Sequence, residues 1–344
     1  FFFKKPCKEV KMATNAIRSA GSAASKMLLP VAKEPAAVSS FAQKGIYCIQ
    51  QFFTNPGNKL AKFVGATKSL DKCFKLSKAV SDCVVGSLEE AGCTGDALTS
   101  ARNAQGMLKT TREVVALANV LNGAVPSIVN STQRCYQYTR QAFELGSKTK
   151  ERKTPGEYSK MLLTRGDYLL AASREACTAV GATTYSATFG VLRPLMLINK
   201  LTAKPFLDKA TVGNFGTAVA GIMTINHMAG VAGAVGGIAL EQKLFKRAKE
   251  SLYNERCALE NQQSQLSGDV ILSAERALRK EHVATLKRNV LTLLEKALEL
   301  VVDGVKLIPL PITVACSAAI SGALTAASAG IGLYSIWQKT KSGK

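Results

Sequence analysis

A chain of 344 residues with 45 Lys+Arg against 24 Asp+Glu, a net charge of +21, can build one large core or two domains and points to an anionic partner or surface. Its 6% aromatic content and ten prolines argue against a β-sandwich and for helices. Nine cysteines (7, 48, 73, 83, 93, 135, 177, 257 and 316), with no Cys-x-x-Cys pair, argue against a disulfide framework and against zinc, and predict thiols in a reducing compartment.

Residues 1–45 are rich in Ala, Ser and Lys, lack periodicity, and are expected to be disordered. The opening FFFKKPCKEVK lacks an initiating methionine, so Met12 is the expected start. The stretch that follows Met12 has no apolar run long enough for a Sec signal. A basic helical region is predicted over 46–145. Within it, an amphipathic helix follows the turn Thr54-Asn55-Pro56-Gly57-Asn58, with Leu60, Phe63, Val64, Leu70, Phe74 and Leu76 at near-helical spacing. Lys59, Lys62, Lys68, Lys72, Lys75 and Lys78 fill the other positions. Two readings fit: a helix docked on an anionic bilayer, or a bundle helix with a solvated lysine face, and the second is preferred. The apolar stretch Arg112–Val125 is expected to stop at Pro126. Residues 146–158 read as a polar linker.

A hydrophobic hairpin is predicted over 159–240, with lobes 176–198 and 210–240 joined by a short polar connection. A charged, coiled-coil-like region (241–306), an apolar C-terminal helix (307–337) and a basic tail (338–344) complete the chain. A helix from Ile312 to Trp337 would extend ~39 Å, enough to cross the ~30 Å hydrocarbon layer with tilt. Arg193, Tyr334, Trp337 and Lys339 are placed as membrane-interface anchors. Gly233 and Gly237, and Gly322, Ala326 and Gly330, put small residues one turn apart and are candidate helix-packing positions. Seven glycines lie in 210–240; each costs ~1 kcal/mol against Ala in a water-exposed helix. A bilayer keeps such a run helical, because an unpaired peptide group costs more there. His227 interrupts this run; hydrogen bonding to a neighbouring helix is preferred over a proton-handling role. The fold class expected is therefore all-α: a helical membrane protein with a glycine-rich hairpin, a third apolar helix and amphipathic flanks.

Several stretches carry a resemblance. They are Phe52-Phe53-Thr54-x-Pro56-x-Asn58-Lys59, then Ala187-Thr188-Phe189-Gly190 with Arg193-Pro194, and Asn199-Lys200 with Pro205-Phe206-Leu207. Leu291-Thr292-x-Leu294-Glu295-Lys296 and Lys306-Leu307-x-Pro309-Leu310-Pro311-Ile312-Thr313 follow in order. With the two-lobed hairpin, these make the chain resemble the chlamydial inclusion membrane proteins. The resemblance implies synthesis in the bacterial cytoplasm, type III secretion, and insertion in the membrane of the pathogen-containing vacuole with flanks facing host cytosol. It implies no reaction, and the glycine-rich lobes and third apolar run depart from the family's usual plan.

No catalytic, cofactor-binding or metal-ligating residues are assigned. GVAGAVGGIAL (230–240) lacks a Gly-Lys-Ser/Thr ending, no H-E-x-x-H or G-x-S-x-G occurs, and the two histidines are far apart in sequence. Val283, Leu286, Val290, Leu293, Ala297 and Leu300 recur in steps of three and four. They form either one face of a helix packed on its own domain, the preferred reading, or a seam for a coiled-coil partner. The expected role is non-catalytic anchoring in a lipid bilayer and presentation of helical flanks to host cytosolic or trafficking proteins, with homo-oligomers left open. Nucleic acid is not expected as a partner, since aromatics are few and lysines dispersed. The alternative is a soluble all-helical secreted effector that packs its glycine-rich helices internally.

Overall fold

The structure, a computed structural model, describes residues 67–146, 149–153, 160–260, 266–307 and 314–341, all within the unit Lys59–Lys344. Expectations for 1–45, Met12, the turn at 54–58 and residues Lys59–Val64 lie outside the described residues. So do Lys306–Thr313 in part and the side chain of Lys339.

Six continuous helices carry the described fold. The first is α1 (Thr67–Glu90). Gly92 and Gly95, at φ +69° and +91°, turn the chain into α2 (Asp96–Asn119) in a conformation open to glycine without strain. A π-helical segment (Val120–Ala124) joins α2 without a break to α3 (Val125–Leu145). A small antiparallel hairpin, β1 (Lys150–Lys153) and β2 (Lys160–Leu163), pairs Lys150 with Leu163. Helix α4 (Arg165–Ser186) opens with the Thr164 N–H donating to the Asp167 carboxylate over 2.8 Å. It continues through a second π segment (Ala187–Leu192) into α5 (Arg193–Leu201). Then come α6 (Lys209–Glu260), α7 (Leu266–Leu307) and α8 (Val314–Lys341). The fold is all-α apart from the short hairpin.

Three expectations are corrected. Pro126 does not stop its helix, and Pro194 sits inside another. Each stands in the first turn after a π segment, and the carbonyl four residues earlier, at Asn122 or Gly190, lies within that segment. The wider turn frees that carbonyl from the i−4 bond that a proline ring obstructs. The polar linker carries strand β1. The boundary at 240/241 is crossed by one 52-residue helix, so the second lobe and the start of the charged region are one element.

The helices close a ring: α1 packs on α8, α8 on α7, α7 on α6, α6 on α4, α4 on α3, and α2 back on α1. At one end lies an apolar core of Ala142, Leu163, Tyr168, Ala248, Leu252, Ala274 and Leu278. Elsewhere the polarity is inverted. Asp96–Leu145, Lys209–Cys257 and Cys316–Gln338 are long and apolar enough to cross a membrane, and only 17, 22 and 28% of their most apolar stretches is buried. Val129, Ile225, Met228, Val235, Val301 and Ile320 are among the side chains turned outward. Between Ser69 and Leu88 of α1 and between Asn289 and Val305 of α7, no charged side chain is exposed.

Candidate functional site

Inside the ring the charged side chains meet. Lys72 of α1 pairs with Glu295 of α7, and Lys75 with Glu299. These two lysines were expected on a solvated face, and the structure turns them inward with side chains 12% exposed. An isolated ammonium or carboxylate is costly to bury, and here each has an opposite charge and further donors beside it. Glu299 also accepts from Lys296 Nζ at 2.7 Å and Ser328 Oγ at 3.2 Å, and faces His227 Nε2 at 3.0 Å. His227 Nδ1 lies 2.7 Å from Asp303 Oδ2. This histidine, on the most glycine-rich helix, is held by two carboxylates of α7.

The glycines explain how such groups fit. A Cβ on Gly230 would stand 2.7 Å from Lys296 Cγ, one on Gly237 3.1 Å from Asn289 Nδ2, and one on Gly332 3.1 Å from a Glu295 carboxylate oxygen. These positions are small because charged and amide side chains of α7 occupy the space. Gly233 approaches Cys177 of α4 at 3.2 Å. Gly322 is the close backbone crossing: its Cβ would meet Cys83 N at 2.7 Å and Ala79 O at 2.9 Å. Gly330 has open space around it, and Ala326 is half-buried.

Around the π segments a second polar group forms. The Tyr185 hydroxyl donates to Asp71 Oδ2 at 3.0 Å and accepts from Asn119 Nδ2 at 3.2 Å. Arg112 lies 3.6 Å from Asp71 and stacks its guanidinium over Phe189 at 5.4 Å. Arg193, placed from sequence as an interface anchor, instead sits within the ring, 3.4 Å from Glu113. Tyr334 is exposed, accepting from Lys287 Nζ at 3.0 Å, and Trp337 is half-buried.

Along the α7 seam, Val283 and Val290 are exposed while Leu286, Leu293, Ala297 and Leu300 are half-buried. The inward line of α7 runs beside it and is polar: Asn289, Lys296, Glu299 and Asp303. The seven described cysteines are free thiols.

Nearer the apolar core, Asp167 is 5% exposed and pairs with Arg247 of α6. Burial works against its charged form, but the Thr164 N–H, the Arg247 guanidinium and the Thr164 hydroxyl hold its carboxyl below the ordinary carboxylate value.

No family model, curated protein or solved structure matches this chain.

Proposed function

We propose that the chain is an integral membrane protein that anchors its helical ring in a bilayer and presents its basic flanks to soluble partners, without a catalytic role. The observation that carries this reading is the radial sorting of charge. In water the arrangement would expose a belt of valine, isoleucine and leucine while burying lysines and glutamates, two unfavourable choices at once. In hydrocarbon both choices become favourable, and 24-residue α1 and 28-residue α8 are long enough for the layer. The resemblance to chlamydial inclusion membrane proteins extends the proposal to delivery by type III secretion and insertion in the vacuole membrane, with host cytosolic proteins as partners.

Alkaline carbonate extraction of membranes from cells expressing the full chain tests the anchoring. Retention in the pellet is expected, with release only by detergent. Recovery in the carbonate supernatant would instead favour the soluble effector.

A further inference from the structure

The ring encloses space as well as charge. A cavity of 550 Å³ is lined by residues of all six helices, among them Asp71, Arg174, Tyr185, Asn226 and Arg288. A second of 220 Å³ lies beside Lys75, His227, Glu299 and Asp303, and shares Arg112 and Arg193 with a third of 380 Å³. The axial order of the cavities is the same on α1, α7 and α6. On α1 the large cavity takes Lys68–Lys72 and the smaller ones Lys75–Asp82; on α7 it takes 288–296, and they take 299–303. Helix α6 repeats the order in reverse, with 226–234 and then 216–227. Between the cavities lies one layer of ion pairs, Lys72–Glu295 and Lys75–Glu299–Lys296, a single helical turn thick.

Both ends reach the surface. Arg102 and Lys109 are exposed at the 380 Å³ cavity, and Lys68 and Arg288 at the 550 Å³ cavity. The linings carry a cationic surplus: the large cavity has Lys68, Lys72, Arg174, Arg288 and Lys296 against Asp71 and Glu295. Arg174 and Arg288 close no ion pair among the described residues, and Nδ2 of Asn289, which is 7% exposed, has no hydrogen-bond partner. The buried Asn289 amide N–H and the half-buried Arg174 guanidinium, left without acceptors, favour a ligand that supplies negative charge, and the exposed Arg288 adds a cation at the mouth.

From the axial order and this surplus we infer that the ring is a pathway for small inorganic anions, closed in this conformation by the ion-pair layer. The inference rests on the membrane reading. An anion enters at one mouth, is held by the unpaired guanidinium groups, and crosses when the pairs of the layer separate. Channels lined by cationic side chains select anions in this way.

The test uses full-length protein reconstituted into vesicles of neutral phospholipid with an entrapped halide-sensitive dye, and chloride as the probe. Carbonate washing of the same vesicles reports insertion separately. Lys72→Ala with Glu295→Ala removes one pair without leaving either partner behind, and should raise chloride entry at least several-fold over wild type. Adding Arg174→Glu and Arg288→Glu should lower that flux about tenfold or more. Protein washed out by carbonate would overturn the membrane reading and this inference together. Protein retained, with dye traces no faster than those of empty vesicles for both wild type and the opened variant, would overturn the pathway alone. Equal flux after the arginine reversals would also overturn it, by showing that chloride does not use the cavity.

Discussion

Glu299 of α7 and His227 of α6 face one another at 3.0 Å inside the ring, and the same carboxylate holds Lys75, Lys296 and the Ser328 hydroxyl. Four helices thus converge on one side chain that is 3% exposed. Replacing it by glutamine would leave two ammonium groups short of a counter-charge. The expected cost is about 3–5 kcal/mol. A thermal melt in detergent should show Glu299→Gln well below wild type, and combining it with Lys75→Met should recover much of the loss. A single variant as stable as wild type would mean that the carboxylate does not hold the helices together.

Glycines of α8 give a sharper contrast. A methyl at Gly322 would meet the α1 backbone at Cys83 and Ala79, whereas one at Gly330 meets nothing within 4 Å. Backbone cannot give way as a side-chain tip can. Gly322→Ala is therefore expected to lose ~1–3 kcal/mol. Gly330→Ala is expected to be neutral or to gain up to ~1 kcal/mol of helix propensity. Parallel melts of the two variants check this, and the reverse ranking would rule out the close crossing of α1 and α8.

Acid sensitivity is expected at the other end of the ring. The Asp167 carboxyl titrates in the folded chain below its ordinary value of 3.8, held there, against its burial, by the Thr164 N–H and Arg247. Its stabilising contribution is therefore complete above that value and is lost as pH falls through the lower, folded one. Asp167→Asn should be less stable than wild type at neutral pH, and the gap should narrow as pH drops below about 4. A gap that stays constant down to pH 2 would show that the carboxylate's charge plays no part. Denaturation curves at a series of pH values decide it.

Helices and their apolar runs were legible because length and periodicity survive any choice of partner. The direction in which α1 and α7 face was not. A stripe made of Lys72, Lys75 and Lys78 has the same 3.6 period whether the stripe or its complement meets solvent, and sequence alone favours the common case, lysine outward. Only the packing of Glu295 and Glu299 opposite reverses it. Gly237 was recognised as a packing position, yet it abuts the Asn289 amide rather than a backbone, and Gly230 and Gly332, not singled out from sequence, abut Lys296 and Glu295, a distinction with no local signature. Pro126 reads as a breaker because propensity assumes an α turn, and the π segment before it removes that assumption.

What covers the outer face of α7 separates lipid from a soluble partner. Val290 and Val301 are 38% and 51% exposed, and Val290 belongs to the seam that a coiled-coil partner would use. Spin labels at Val290→Cys and Val301→Cys, in a background where the nine native cysteines are replaced by serine or alanine, read the surroundings directly. In reconstituted vesicles, both labels should be relaxed strongly by apolar oxygen and weakly by a water-soluble nickel chelate. The opposite pattern at both positions would place them in water. Strong protection from both reagents would mean that protein covers the face, and adding Leu286→Glu and Leu293→Glu would then expose the labels if that cover is a partner helix.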